Sequence, residues 1–266
     1  MTYTTIETEL KQGVAWIWLN RPEMRNAMND VLIGELADAV QRAQGDDAAR
    51  VLVLGGRGKA FCAGADLAWM KSGREMTPEA SREDTGSLAV VMRMLYDSPK
   101  PAVARVHGAA FAGGMGLVAS CDIAVASAEA KFCLSEVKLG LIPAMISPYV
   151  IRAMGEQRAR RYFLTGEVFD GAEAHRIGFV HELAQPGEID AKLDAVLGHL
   201  LQGGPIALGE CKRLIRDMSG RPIDDSVTQE TAARIARVRA TDEAQEGIAS
   251  FFEKRKPRWV SAPRSE

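Results

Sequence analysis

Two short runs open the chain, Ile6 to Leu10, where apolar and polar positions alternate, and Val14 to Leu19, apolar throughout, and between them they carry β-branched and aromatic residues. With Lys11-Gln12-Gly13 between them they predict a hairpin. The period then lengthens. Val31, Leu32, Leu36, Ala39, Val40 and Ala43 fall at helical spacing between Asn29 and Gln44, and Gly45 supplies a stop. Further strands are expected at Val51 to Gly55, Ala102 to Val106 and Ile123 to Ala126, separated by helices beginning near Ala65, Thr77 and Gly113. Thr77-Pro78-Glu79 combines a capping hydroxyl, a proline at the first helical position and an acid in the first turn. This alternation is that of an α/β fold. After Val180 the pattern becomes mainly helical, with helix starts marked by Pro205, Pro222 and Thr241. Residues 1–200 are therefore expected to form a core and 201–266 a helical C-terminal region, with no internal repeat.

Composition narrows the classes. A chain of 266 residues with 47% hydrophobic content can bury a sizeable core. Its 33 basic and 35 acidic residues leave a net charge of -2, without the positive field of a dedicated nucleic-acid binder, so no nucleic-acid partner is expected. Cys62, Cys121, Cys133 and Cys211 are scattered and form no Cys-x-x-Cys pair, which points to neither a zinc site nor a disulfide framework and fits a reducing cytoplasm. The N-terminal residues are polar and acidic, and no apolar run approaches the roughly 20 residues that span a bilayer, so neither a cleaved signal nor a membrane anchor is expected.

Two glycine-bearing turns carry the candidate chemistry. Ala63-Gly64-Ala65-Asp66 and Gly108 to Gly116 each follow a strand-like run and lead towards a helix, exposing backbone N–H groups where helices begin. Two such donors can grip one oxyanion. Glu136, in the stretch Cys133 to Gly140, offers a carboxylate as proton shuttle; burial among Phe132, Leu134 and Val137 would raise its pKa towards the operating range. Each feature also has a plainer use, the turns as tight connections and Glu136 as a helix-entry charge. The Gly108 stretch lacks both the Gly-x-Gly-x-x-Gly spacing of a dinucleotide site and the Gly-Lys-Ser/Thr ending of a phosphate loop. His107 has no serine and aspartate to complete a triad and is expected to be packed or hydrogen-bonded. Met70, Met76, Met92 and Met94 are expected to fill apolar space. Arg152, Arg158, Arg160 and Arg161 are expected on one solvated helix face.

Taken in order, the motifs carry more than each does alone. Asn20-Arg21-Pro22-Glu23 with Asn26-Ala27-Met28, Phe61 to Leu67, Gly108 to Gly116, Cys121-Asp122-Ile123-Ala124, Gly140-Leu141-Ile142-Pro143, Phe163 to Gly166, Ala174 to Val180 and Phe251 to Pro257 resemble the crotonase family, the enoyl-CoA hydratases and isomerases. The resemblance implies a spiral of ββα units, an acyl-CoA-binding core, and a C-terminal helical region used to assemble a homotrimer or a dimer of trimers. It implies Glu136 as the catalytic residue and the N–H groups of Ala65 and Gly113 as an oxyanion hole. Ala63, Gly64, Asp66, Leu67, Trp69, Gly114 and Gly116 are implied at the substrate, and Lys254 and Lys256 at the CoA phosphates, across a subunit interface. It implies no separate cofactor and no metal, coenzyme A being part of the substrate. Gly116 departs from the familiar hydratases, which carry a second glutamate at the matching position. The stretch Phe132 to Val150 resembles proteins of the methylglutaconyl-CoA hydratase type. The resulting expectation is hydration of a branched or carboxylated enoyl-CoA. A 3,2-enoyl-CoA isomerase using a single glutamate is the alternative, and RNA binding the reading from another class.

Overall fold

The expected hairpin forms as β1 (Ile6–Lys11) and β2 (Val14–Leu19), antiparallel, with Ile6 opposite Leu19 and Lys11 opposite Val14. The computed structural model describes residues 2–72 and 77–260, giving the backbone alone for 72, 78 and 80–85. Met76 lies outside the described residues. Asn29 caps α1 (Asp30–Gly45) by accepting a hydrogen bond from Leu32 N at 3.0 Å, and the helix buries Leu32, Ile33, Leu36, Ala39, Val40 and Ala43 along one stripe.

Next come β3 (Val51–Gly56), α2 (Leu67–Ser72), α3 (Pro78–Asp97), β4 (Ala102–Val106), β5 (Ala109–Phe111), α4 (Gly113–Ser120), β6 (Ile123–Ser127) and β7 (Lys131–Cys133). They are followed by α5 (Ser147–Met154), α6 (Glu156–Thr165), β8 (Phe169–Asp170), α7 (Gly171–Arg176), β9 (Glu182–Ala184) and α8 (Ile189–Gln202). The large sheet has the order β1-β2-β3-β4-β6-β9 and is parallel from β2 onward; the small one has the order β5-β7-β8. Both faces of the large sheet are covered at its centre. Leu52 and Leu54 of β3 enter the main core with α1 and α3, while Val51 and Val53 point the other way, against Leu193 and Leu197 of α8. This two-sided burial explains why β3 reads as a nearly continuous apolar run.

A repeat invisible in the sequence organises this chain. β4 and β6 of the large sheet each lead into a short strand of the small layer, β5 and β7, and then into helical structure. β3 does the same through Cys62, which bridges Ala110 in parallel. These are the ββα units of the expected spiral. The small strands escape a period-based reading because two or three residues contain no measurable alternation. Two other boundaries differ from expectation. The helix carrying Arg152 to Arg161 is two helices, α5 and α6, broken at Gly155, whose φ of +79° is left-handed. The helix placed at Pro222 starts after Asp224, which caps it through Val227 N at 3.0 Å.

The C-terminal helices are α9 (Pro205–Met218), α10 (Asp225–Arg239) and α11 (Asp242–Phe252). Lys212 of α9 reaches into the core, 2.8 Å from Asp122, and donates to Leu95 O at 2.9 Å. Arg50, just before β3, donates to the carbonyls of Trp259 and Gly203 and ties down the last described residues. Among the described residues no helix is long and apolar enough to cross a membrane.

Candidate active site

The two glycine-bearing turns and Glu136 leave one sheet edge side by side. Cys62 pairs in parallel with Ala110, and β5 pairs in parallel with β7, Ala110 opposite Phe132 and Phe111 opposite Cys133. Three neighbouring segments thus run in one direction, about 4.8 Å apart. Ala65 lies three residues beyond Cys62, Gly113 three beyond Ala110, and Glu136 three beyond Cys133.

Ladder hydrogen bonds fix which N–H groups remain free. Cys62 N donates to Ala109 O, Phe111 N to Cys62 O and Ala112 N to Cys133 O, at 2.8 to 2.9 Å. Met28 lies on the other side: its N donates to Gly64 O, and its O accepts from Asp66 N, both at 2.8 Å. Strand alternation then turns the intervening Ala65 N–H away from Met28. Among the described residues neither Ala65 N–H nor Gly113 N–H has a hydrogen-bond partner. Gly113 N–H owes this to opening α4. The chain enters α4 through Ala112, whose φ of +48° and ψ of -118° put a non-glycine residue in a strained conformation immediately before that N–H.

Close approach explains two glycines. Gly64 has φ +98°, and a Cβ there would lie 3.2 Å from Ala112 Cβ, so the two turns pass close to one another at this glycine. A Cβ on Gly114 would come within 2.7 Å of Cys62 O. Ala63 N donates to Arg25 O at 3.0 Å, anchoring the start of the first turn.

Asp66 has a structural position. It is buried, it accepts from Ala68 N at 2.8 Å at the start of α2, and Arg21 Nη2 lies 2.9 Å away and holds its carboxyl below the usual range. Arg21 received no role from sequence, since its spacing from Asp66 carries no periodic signal. Leu67 is exposed and Trp69 packs partly against the core.

Glu136 occupies a 3-10 turn, Ser135–Leu139, ended by Gly140. It is half-buried. Its Oε2 is shielded from solvent without a hydrogen-bond partner among the described residues, and burial pushes its carboxyl above the ordinary value. An unpaired buried carboxylate oxygen is costly to maintain, and such groups concentrate at functional sites.

Other candidates fall elsewhere. His107 Nε2 is 2.9 Å from Gly58 O, and burial lowers its pKa, as suits a packed histidine. Arg160 pairs with Glu156 and Arg161 with Glu167 on the surface. Lys254 and Lys256 are exposed on the segment held near Arg50, at the start of β3, whereas the Ala65 turn follows the end of β3; one chain does not bring them to the turns. Gly116 is buried one helical turn after Gly113. Among the described residues no group of histidine, cysteine, aspartate and glutamate could hold a metal ion.

Residues 9–262 match the family model described as enoyl-CoA hydratase/isomerase. The chain belongs to that family. It is 32% identical over 263 residues to the crotonyl-CoA hydratase of Syntrophomonas wolfei, covering 98% of this chain and 100% of the relative. It is 30% identical over 261 residues to the 1,2-epoxyphenylacetyl-CoA isomerase of Escherichia coli, covering 96% and 98%. The crystal structure of an enoyl-CoA hydratase from Shewanella pealeana superposes with a TM-score of 0.94 at 41% identity, over 97% of this chain and 96% of that one. The fold is therefore that of the crotonases, and the protein is an enzyme of an acyl-CoA-processing family whose members carry both hydratase and isomerase names.

Proposed function

We propose that the protein hydrates an enoyl-CoA and, in reverse, dehydrates the matching 3-hydroxyacyl-CoA, with Glu136 as proton shuttle and the N–H groups of Ala65 and Gly113 as oxyanion hole. The observation that carries this reading is the unpartnered Oε2 of Glu136, on the strand-tip edge that also bears two unpartnered N–H groups. Glu136 as carboxylate takes a proton from water while the water oxygen bonds to Cβ. The Cα=Cβ π electrons move into the thioester, whose carbonyl oxygen becomes negative and is held by the two N–H groups. The protonated Glu136 then delivers its proton to Cα, and the carbonyl re-forms. Fixed N–H donors stabilise the oxyanion without a solvent shell having to reorganise, and loss of one donor costs about 3 kcal/mol. Burial of Glu136 supports the shuttle, because a raised pKa brings its acid and base forms closer in energy.

Double-bond migration is the second reading, favoured by Gly116, where the chain carries no second carboxylate. It uses the same groups: Glu136 removes a proton from Cα of a 3-enoyl-CoA and returns it at Cγ. The acyl part is proposed to be branched or carboxylated, supported by the likeness of Phe132 to Val150 to methylglutaconyl-CoA hydratase-type proteins. No cofactor is needed in this chemistry.

An acyl-CoA panel followed by mass spectrometry tests the proposal. Hydration adds one water; migration leaves the mass unchanged and moves the double bond. Absence of turnover on every enoyl- and hydroxyacyl-CoA sinks both. We further propose that α9 to α11 join copies of the chain in a trimer, and that Lys254 and Lys256 reach CoA phosphates of a neighbouring subunit. The exposed apolar side chains of these helices support the assembly.

A further inference from the structure

The Ala65 N–H stands at the end of a chain of hydrogen bonds that begins on a cation. Arg21 Nη1 donates to Ala27 O, and the peptide unit of that carbonyl carries the Met28 N–H, which donates in turn to Gly64 O at 2.8 Å. Gly64 O shares its peptide unit with the Ala65 N–H. No peptide bond among the described residues is cis, so in each planar unit the carbonyl and the N–H point in opposite directions. The order is therefore guanidinium, Ala27–Met28 peptide, Gly64–Ala65 peptide, open N–H.

The head of this chain is held firmly. Arg21 Nη2 lies 2.9 Å from Asp66 Oδ2, and the two side chains are 16% and 6% exposed. One guanidinium thus grips both segments, Ala27 on one and Asp66, the residue after Ala65, on the other. Asn26 is fully buried and fixes the Arg21 main chain at both its polar groups, accepting from Arg21 N at 2.8 Å through Oδ1 and donating from its own N to Arg21 O at 2.9 Å. Its Nδ2 donates to Arg57 O and Ala60 O, at 2.9 and 2.8 Å, in the stretch between β3 and the Ala65 turn.

We propose that Arg21 is a positioning residue for the oxyanion hole: its charge, passed through two aligned peptide units, orients the Ala65 N–H and strengthens it as a donor. The inference rests on the oxyanion-hole reading above. A charged donor strengthens the first bond of such a chain, and each bond polarises the next by roughly 10 to 30%. Asp66 offsets part of the charge and fixes where the guanidinium points. When the thioester oxygen becomes negative, the donor that meets it is already polarised towards it. The Gly113 N–H draws instead on the start of α4, so the two donors have separate sources of polarisation.

The test compares wild type, Arg21→Met and Arg21→Lys. One readout is the carbonyl stretching frequency of bound butyryl-CoA labelled with carbon-13 at the thioester carbonyl, which reports the donors that grip it. The other is steady-state kinetics on the 2-enoyl-CoA that wild type turns over fastest. Binding to wild type is expected to lower the frequency from that of free butyryl-CoA, and Arg21→Met to lose roughly a third of this shift. Its kcat should fall about tenfold with KM within about twofold, short of the 100-fold or more that a missing donor costs. Arg21→Lys keeps the charge and a donor for Ala27 O, and should recover kcat to within about threefold of wild type. A folded Arg21→Met protein with unchanged frequency and kcat, a loss confined to KM, or a lysine variant no better than the methionine one overturns the proposal. Should Arg21→Met fail to fold because Asp66 is left buried without its cation, Arg21→Met with Asp66→Asn removes both charges and decides by the same two readouts. Failure of the underlying reading looks different: butyryl-CoA bound to wild type then keeps the frequency of the free thioester, and the role of Arg21 falls with the hole. A wild-type shift that survives Arg21→Met in full overturns the role of Arg21 alone.

Discussion

The strand tips carrying Ala65, Gly113 and Glu136 and the helices α9 to α11 treat apolar surface in opposite ways. Around the tips the apolar side chains are enclosed: Phe61, Met115, Phe132 and Leu134 are all inaccessible to solvent. Helices α9 and α10 bury no residue fully, and Ile215, Ile223, Phe251 and Phe252 of the C-terminal region are 71% to 94% exposed. Enclosure lets the core hold two backbone donors and one unpaired carboxylate oxygen in fixed places, because packed neighbours prevent their relaxation. The outer helices leave large apolar side chains in solvent. The proposed chemistry sits where one chain completes its packing, and the incompletely packed part is free to meet another surface.

The strongest challenge to this contrast is Glu136→Gln. It keeps size and polarity but removes the ionisable group, and turnover is expected to fall about 100-fold or more with little change in CoA affinity, measured by steady-state kinetics and calorimetry. Stability should move the other way. Burial raises the folded-state pKa of Glu136, so the folded protein binds its proton more tightly than the unfolded chain. That contribution is complete below the unfolded value and is lost as pH rises through the raised folded value. Wild type and Glu136→Gln should therefore match in denaturant melts at acid pH, with the variant more stable at neutral pH. Equal stability at every pH would mean that Glu136 is solvated, and the contrast between the two regions would lose its sharpest member.

Next in size is the link between the regions. Lys212→Met leaves Asp122 without its cation in a site where burial already raises the carboxyl pKa. A loss of about 2 kcal/mol in urea unfolding is expected, less than for a fully enclosed pair because both groups keep some water. No loss would show that α9 is held by its apolar contacts alone. The double replacement Lys254→Ala with Lys256→Ala should weaken CoA binding about five-fold in low salt, with the difference shrinking as salt rises. Unchanged calorimetric affinity at low salt counts against these lysines as phosphate contacts.

The smallest effect on the chain itself is expected from Phe251→Ser. Its side chain is 79% exposed, so unfolding free energy should change by less than ~0.5 kcal/mol. The same replacement should shift the mass measured by light scattering across a dilution series, from a trimer-based species towards the single chain. A wild-type chain that stays monomeric at every concentration defeats the assembly proposal and leaves the exposed helices without that explanation.

Long periodic elements were legible. β1, β2, α1, β4 and the start of α4 fall where spacing and breaker residues place them, since alternation over five residues or helical spacing over fifteen reflects which face meets the core. Ala65, Gly113 and Glu136 were proposed through an ordered set of motifs, and the first two carry no side-chain signal, because the group of interest is a backbone N–H. Asp66 caps the start of the helix after Ala65, as a short acid there suggests, while its pairing with Arg21 spans 45 positions that no local pattern encodes. The single helix drawn through Arg152 and Arg161 missed the break at Gly155, since a lone glycine between good helix formers is ambiguous without its φ.

The sequence by itself determined the layered α/β plan, the helical C-terminal region and the identity of the lone acid at position 136, because local periodicity and residue chemistry are properties of neighbours along the chain. Tertiary structure alone decided that Cys62, β5 and β7 lie side by side, and hence that turns from three distant stretches open on one edge. It also decided that Oε2 of Glu136 has no partner and that Ile146 and Met92 close over Gly116. Those facts depend on non-local strand pairing and on the packing of α3 and α5 against α4, and the free energy of such contacts is set by groups far apart in sequence.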